Sequence, residues 1–242
     1  ITQELKLVYK KFDMNFDNVT TLLYADDQII ISDTEDSLQW TTHQLNIGMN
    51  KNNMKISVKK TQCMAFVGPE PLRVKISINN EPVEQVSTFR FLGCEISYRG
   101  EVDIDKKLNN FNRMNGTIFR TLKGKARKNT MMKFYRSMSI PAVTYGSETW
   151  TITNKNMSRI TAAEMRFLRK VQGVTLLDRN RSEDIRNNLS QKPLYDIIKD
   201  RKTNWKNHLQ RMDYERLPRK VLSYKAKGKR PIGRPMKRWS DK

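Results

Sequence analysis

Two adjacent carboxylates, Asp26 and Asp27, lie at the centre of a strongly β-prone segment. From Asn18 to Ser32 the chain reads Asn-Val-Thr-Thr-Leu-Leu-Tyr-Ala-Asp-Asp-Gln-Ile-Ile-Ile-Ser, so that two apolar runs flank a short polar centre. This pattern predicts a β-hairpin with both carboxylates exposed at a tight turn. Because two like charges so close together repel each other, a cation beside them is the physical expectation.

A pair of Mg²⁺ ions would supply that cation in nucleotidyl transfer. One metal ion activates the attacking hydroxyl group there, and the other holds the triphosphate. Asp26 and Asp27 are therefore candidate metal ligands. The alternative is an ordinary acidic β-turn, because aspartate is a favoured turn residue.

Three motifs in the first hundred residues follow one another in the order found in a known family. Residues 24–27 match an aromatic-Ala-Asp-Asp hairpin, residues 56–61 a Leu-Asn-x-x-Lys-Thr motif, and residues 89–93 an aromatic-x-aromatic-Leu-Gly motif. The chain thus resembles the reverse transcriptase of non-LTR retrotransposons, of the kind that joins an endonuclease to the polymerase. Ser57 departs from this pattern, since the second motif usually has asparagine at that position.

The resemblance implies an RNA-directed DNA polymerase that acts on an RNA template and a DNA primer, with Mg²⁺ as the cofactor of the intact parent enzyme. It makes Asp26 and Asp27 catalytic metal ligands. It also makes Lys60, or Lys59 beside it, a catalytic residue that steadies or protonates the departing pyrophosphate. The residues expected to contact nucleic acid are Tyr24, Phe89, Phe91, Leu92, Gly93, Lys227, Lys229, Arg230, Arg234, Lys237 and Arg238.

Each of these roles has a simpler alternative. Lys60 reads equally well as a solvated lysine at a strand edge, and phenylalanines in a strand are more often plain core. Residues 145–150, 164–169 and 233–239 are similar to thumb and post-thumb segments of such elements. The tryptophans of the helical region are candidates for stacking on bases, with burial in the core as the alternative: Trp150, Trp205 and Trp239.

The resemblance also indicates what a complete active site would require. A polymerase palm needs a further aspartate on a neighbouring strand, because two adjacent carboxylates do not cage two divalent ions by themselves. Only 25 residues precede Asp26, so we expect a C-terminal fragment that is inactive alone. A domesticated or decayed protein that binds RNA or DNA without catalysis is the alternative function.

Basic residues dominate the charge, with 46 lysines and arginines against 25 acidic residues and a net charge of +21. From Arg179 to Lys242 there are 20 basic and seven acidic residues. Such a concentration favours nucleic acid as the partner, through phosphate contacts that are largely independent of base sequence. A solubilising tail and a scaffold for an acidic protein are the alternatives.

The composition excludes several other classes of protein. No stretch approaches the roughly 20 consecutive apolar residues that cross a bilayer, so no membrane is expected as a partner. Cys63, Cys94 and the two histidines lack the paired spacing of a zinc site or a disulfide framework. No small-molecule cofactor is implied beyond a deoxynucleoside triphosphate and the metal. We expect an intracellular, nuclear protein.

The elements that must position these residues predict an α+β fold. Residues 1–100 form the C-terminal part of a reverse transcriptase palm, made of antiparallel β-hairpins and a helix. Residues 101–177 form a helical thumb, and residues 178–242 a basic, helical and extended region that binds nucleic acid. The strand-like runs after the first helix are residues 55–58, 62–67, 73–78 and 89–96.

Helical boundaries follow from caps and breakers. Thr34 precedes a helix of about four turns, and Gly173 is expected to end a helix with an apolar stripe. Asn129 is expected to start a helix that Pro141 stops. Beyond Met212 the apolar periodicity fades, and residues 214–242 are predicted to form an extended basic arm.

Overall fold

The computed structural model describes residues 21–66, 72–97, 102–224, 233 and 237–239. Its contacts divide the chain into two compact units, with the described residues up to 97 in the first and those from 102 in the second. Short β-strands with one long helix make up the first unit, and helices make up the second. The predicted α+β class is thereby confirmed, while the identification of palm and thumb stays a prediction.

The first unit contains four two-stranded sheets among its described residues. The strands are β1 (Thr21–Tyr24), β2 (Asp27–Ile30), β3 (Gln62–Cys63), β4 (Ser77–Ile78), β5 (Glu81–Pro82), β6 (Glu84–Gln85), β7 (Thr88–Phe91) and β8 (Cys94–Ser97). Three pairs are antiparallel hairpins, of which β1–β2 was predicted at these residues. The pairing of β3 with β6 is parallel, which corrects the prediction of a wholly antiparallel arrangement.

The strand predicted at residues 55–58 is wrong. A 3₁₀ turn occupies Val58–Lys60 instead, and the N–H groups of Lys60 and Thr61 both donate to the Ser57 carbonyl. The Thr61 hydroxyl donates to the same carbonyl at 2.9 Å. These local hydrogen bonds satisfy the backbone within the turn and compete with pairing to a neighbouring strand.

Residues 89–96 form a hairpin rather than the single strand that was predicted. Its two-residue turn consists of Leu92 at φ +48° and Gly93 at φ +76°. Gly93 adopts the left-handed region without steric cost, and two such residues in succession give the turn a twist that suits a tight hairpin. Because Leu92 is apolar and leucine is not a typical turn residue, the sequence pattern did not indicate a turn at this position.

The long helix α1 (Glu35–Lys51) packs on β4 and on a small core of Ile76, Ile78 and Val83. The helix begins directly after Thr34, as predicted, and Thr34 caps it, with its side-chain oxygen accepting from the Ser37 N–H at 3.2 Å. Gln39 holds the helix to the edge of β4, because its amide bonds both the N–H and the carbonyl of Ser77.

The second unit is helical in its described residues. Its helices are α2 (Val102–Leu122), α3 (Lys128–Phe134), α4 (Ile140–Thr144), α5 (Asn154–Gln172), α6 (Ser182–Asn188), α7 (Leu194–Arg211) and α8 (Leu217–Ser223). One core joins α2 through α7, with Phe111 against Tyr135 and Tyr135 stacked on Phe167 at 4.9 Å between centroids. Gly173 ends α5 at φ +82°, as predicted. Of the described helices, none is long and apolar enough to cross a membrane.

Pro141 does not stop the helix in which it lies, contrary to prediction. The π-helical turn Tyr135–Ser139 follows α3, and the Ile140 N–H donates to the Tyr135 carbonyl five residues back. Pro141 is the second residue of α4, so it directly follows this wider turn instead of interrupting an α-helical one.

The predicted extended arm is wrong over its first part, because α8 packs there against α7. Pro218 suits the first turn of this helix, although proline was taken as a sign of extended chain. The helix has only seven residues, too few for apolar periodicity to reveal it. Lys227, Lys229, Arg230 and Arg234 lie outside the described residues.

Candidate metal and nucleic-acid site

The acidic turn has the geometry that the sequence predicts. Tyr24 and Asp27 form the last pair of the β1–β2 ladder, and Ala25 and Asp26 make the two-residue turn. Ala25 takes the left-handed conformation at φ +50°, which closes the hairpin tightly. Both aspartates are exposed, and Tyr24 beside them keeps 64% of its accessible surface. The turn is therefore free to meet an external ligand.

The carboxylate oxygens of Asp26 and Asp27 suit a hard divalent cation such as Mg²⁺. Among the described residues, neither carboxylate forms a hydrogen bond or a salt bridge with a side chain, so both retain their acceptor capacity. Within the same part of the chain, no cluster of three or more acidic, histidine or cysteine side chains could hold a metal ion. The pair thus fits part of a metal site and needs further ligands to complete one.

Lys60 is the last residue of the 3₁₀ turn and is exposed. Over the described residues it forms no salt bridge with Asp26 or Asp27. Its predicted role toward pyrophosphate stays a prediction, since the contact it requires is with a ligand rather than with the acidic turn.

The β7–β8 hairpin presents an apolar tip. Leu92 is 37% exposed at the turn, in a left-handed conformation that non-glycine residues rarely adopt. Behind it Phe89 and Phe91 lie on one side of β7, with their rings 6.4 Å apart and nearly parallel. Both rings are half-buried, so they support the hairpin while Leu92 and Gly93 remain accessible.

Residues 145–150 form a structural site that the sequence did not reveal. The Trp150 indole Nε1 donates to Asp103 Oδ2 at 2.6 Å, and the Lys107 ammonium lies 2.8 Å from the same oxygen. Lys107 also donates to the Tyr145 carbonyl at 2.6 Å, and its ammonium lies about 5.5 Å from the Tyr145 and Trp150 rings. Trp150 is buried, which excludes the suggested stacking of this residue on bases.

Most residues of the segment 164–169 also lie within the core. Glu164 on α5 is buried and binds Arg186 on α6 and the first backbone N–H of α7. Trp205, the second tryptophan considered for stacking, lies half-buried on α7 beside His208. In the basic region, Lys237 and Arg238 are exposed and Trp239 is half-buried.

Comparison with known proteins gives a consistent result. Residues 1–96 match the family described as reverse transcriptase (RNA-dependent DNA polymerase). Over 241 residues the chain is 24% identical to an uncharacterized transposon-derived protein of Caenorhabditis elegans, which covers 94% of this chain and 85% of that protein. No solved structure matches the chain. The resemblance to a retrotransposon reverse transcriptase is thereby confirmed over residues 1–96, which include the acidic turn and the β7–β8 hairpin up to Ile96.

Proposed function

We propose that this chain is the C-terminal part of an RNA-directed DNA polymerase of a non-LTR retrotransposon, and that it holds an RNA template and a DNA primer. Residues 1–100 are the end of the palm, residues 101–177 the thumb, and residues 178–242 a basic region for phosphate contacts. The observation that carries the proposal is the acidic turn: two exposed carboxylates on a tight hairpin, in a segment that matches a reverse transcriptase.

Asp26 and Asp27 would hold Mg²⁺ in the intact polymerase. When bound there, the metal supplies Lewis-acid activation of the primer hydroxyl and neutralises charge on the triphosphate. The residues themselves contribute four carboxylate oxygens on a turn that needs no rearrangement to expose them. Lys60 would offset negative charge on the departing pyrophosphate.

The β7–β8 hairpin would contact the primer backbone. Leu92 and Gly93 form its tip, and a glycine there lets the backbone approach a phosphate or sugar closely. Phe89 and Phe91 would keep the hairpin rigid through their stacked rings. Tyr24, exposed next to the carboxylates, would contact the nucleotide at the primer end.

We further propose that the chain does not polymerise DNA by itself. The described residues hold no third carboxylate beside the acidic pair, and a two-metal centre requires one. Incubation with an RNA template, a DNA primer, Mg²⁺ and deoxynucleoside triphosphates should give no primer extension. Template-dependent incorporation that the variant Asp26→Ala abolishes would show that the active site is complete, and this part of the proposal would be wrong.

Metal binding by the acidic turn can be tested without activity. Mn²⁺ is a paramagnetic substitute for Mg²⁺, and it should broaden the backbone NMR signals of residues 24–27 more than those of other exposed acidic segments. The double variant Asp26→Asn/Asp27→Asn should remove this broadening. Asp36→Asn, at an exposed position in the first turn of α1, is the matched control and should leave it intact. Broadening that survives in the double variant would refute the assignment of the metal ligands.

A further inference from the structure

Trp239 is held against the helical unit by a specific hydrogen bond. Its indole Nε1 donates to the backbone carbonyl of Glu148 at 2.7 Å, across 91 positions of sequence. Burying an indole N–H without an acceptor is unfavourable, so a tryptophan that docks on protein usually finds one. Trp239 therefore makes a defined contact, although most of the neighbouring basic sequence carries no apolar pattern.

A second contact fixes the ring from α7. The Lys202 ammonium lies 5.1 Å from the centroid of the Trp239 ring, within the range of a cation–π interaction. Hydrogen bonding at one edge and a cation against one face leave the indole little freedom to stack on a base. This geometry argues against the interpretation of Trp239 as a base-stacking residue.

The turn that receives Trp239 is itself rigid. Gly146 begins it at φ +67°, and the hydroxyls of Ser147 and Thr149 donate to the carbonyls of Thr144 and Gly146, both at 2.8 Å. Helix α7 packs directly against this turn. The Glu148 carbonyl is thus a fixed acceptor rather than part of a mobile loop.

The contact brings two sets of basic residues together. Lys237 and Arg238 immediately precede Trp239 and are exposed. On α7, Lys199 and Lys206 lie three residues before and four residues after Lys202, so that all three lysines share one face of the helix. Lys199 and Lys206 are exposed. We define these five residues, Lys199, Lys202, Lys206, Lys237 and Arg238, as the α7–tail basic patch.

We infer that Trp239 is a positioning residue, which anchors the C-terminal segment so that the α7–tail basic patch forms one continuous surface for a phosphodiester backbone. The inference rests on the proposed binding of nucleic acid and adds to it the residue that assembles the surface. Anchoring reduces the conformational entropy that Lys237 and Arg238 lose when they bind nucleic acid. Trp239 therefore increases the affinity without contacting the ligand itself.

The anchor can be tested in the full chain without nucleic acid. Three variants are compared with the unmodified protein: Trp239→Ala, Trp239→Phe, which keeps an aromatic face for Lys202 but loses the Nε1 donor, and the double variant Lys237→Ala/Arg238→Ala. Backbone ¹⁵N relaxation should show Lys237 and Arg238 ordered in the unmodified chain, mobile in Trp239→Ala and intermediate in Trp239→Phe. Equal mobility of Lys237 and Arg238 in the unmodified chain and in Trp239→Ala would show that Trp239 does not anchor the segment.

Binding of a short DNA duplex across salt concentrations tests the role of the patch. Affinity falls with salt, and each lost phosphate contact makes the plot of log affinity against log salt less steep by about 0.9. The double variant should therefore reduce the steepness by up to about 1.8. Trp239→Ala removes no charge, yet it should also make the salt dependence less steep and weaken binding about three- to tenfold.

An unchanged steepness in Trp239→Ala, together with a reduced steepness in the double variant, would overturn this inference but not the proposed function. Failure of the unmodified chain to bind the duplex would overturn the proposed function together with the role given to the patch, whereas the relaxation data would still report on the anchor.

Discussion

The carboxylate of Glu164 lies 2.7 Å from the guanidinium of Arg186, and the glutamate side chain has no exposure to solvent. Its other oxygen accepts a hydrogen bond from the Leu194 N–H at 2.9 Å. Burial raises the pKa of the Glu164 carboxyl, while the Arg186 guanidinium and the Leu194 N–H act in the opposite direction. One side chain on α5 thus joins α6 to the beginning of α7.

Removing the Glu164 carboxylate should destabilise the helical unit strongly. Glu164→Ala leaves the Arg186 guanidinium buried without its partner and the Leu194 N–H without an acceptor. The free energy of unfolding should fall by about 3–5 kcal/mol, as when one member of a buried ion pair is removed. Urea denaturation followed by circular dichroism measures this change.

Two further variants test whether the loss of stability in Glu164→Ala comes from the buried ion pair. Glu164→Gln keeps an oxygen for Leu194 but not the charge, so its loss of stability should be smaller than that of Glu164→Ala. Glu183→Ala, at an exposed position on α6, should change the free energy of unfolding by no more than about 0.5 kcal/mol. Indistinguishable stabilities of Glu164→Ala and Glu183→Ala would contradict a stabilising role for the buried pair.

Replacing Trp150 with phenylalanine isolates the hydrogen bond to Asp103. The variant Trp150→Phe keeps an aromatic ring in the core but removes the Nε1 donor 2.6 Å from the carboxylate. A hydrogen bond to a charged group contributes about 1.5–3 kcal/mol, so thermal or urea unfolding should show a loss of that size. Trp205→Phe, at a half-buried position on α7, is the matched control and should cost less. A larger loss at Trp205 would contradict this explanation.

Local signals predicted the elements whose structure is decided locally. The acidic hairpin, the Thr34 cap and the Gly173 helix end all follow from a few adjacent residues, and each agrees with the structure. Two other local elements were predicted wrongly, because their hydrogen bonding differs from what the residue types suggest. The run 55–58 is not a strand, since the Ser57 carbonyl accepts hydrogen bonds within a 3₁₀ turn, and Pro141 is accommodated by a π-helical turn that no short motif indicates.

The candidate site was predictable to a similar extent. Its acidic turn follows from the alternation of apolar runs and carboxylates, and the geometry agrees. The Asp103–Lys107 pair has the i, i+4 spacing of a helical ion pair, which could have marked it. Nothing in that spacing shows that Trp150 would approach from 47 positions away, or that Trp239 would reach Glu148. Contacts at such separations depend on how helices pack.

Lowering the pH should open the turn between α5 and α6. Asp178 accepts hydrogen bonds from the Thr175 N–H at 2.6 Å and from the Thr175 hydroxyl at 2.9 Å, and together these lower the pKa of the Asp178 carboxyl. A lowered pKa in the folded state means that the stabilisation is present above the ordinary aspartate value of about 3.9 and is lost as the pH falls through the lower folded value.

The Thr175 amide signal reports this titration directly by NMR. Its chemical shift should change with a midpoint below the ordinary aspartate value, and Asp178→Asn should abolish the change. A midpoint at or above the ordinary value would mean that the two hydrogen bonds do not persist in solution.

The basic C-terminal segment should dominate the salt dependence of nucleic-acid binding. Residues 225–242 contain eight basic residues and one acidic residue, and they follow α8, so their deletion removes positive charge without removing a described helix. If the whole chain neutralises six to ten phosphates, its affinity should fall on the order of 10³–10⁵ between about 50 and 200 mM salt. Deletion of residues 225–242 should flatten that dependence while the far-ultraviolet circular dichroism of the helices persists.

A control must separate the position of the charge from its amount. The triple variant Lys123→Gln/Lys125→Gln/Lys133→Gln removes three exposed positive charges from the helical unit outside the C-terminal segment. Fluorescence anisotropy with an RNA–DNA duplex at several salt concentrations gives a slope for each protein, which is then divided by the number of charges removed. The deletion should lower the slope more per charge than the triple variant, because charges near bound phosphates release counterions and distant charges are screened within about 10 Å. Equal effects per charge would mean that the segment acts only through the net charge of the chain, and that the binding surface lies elsewhere.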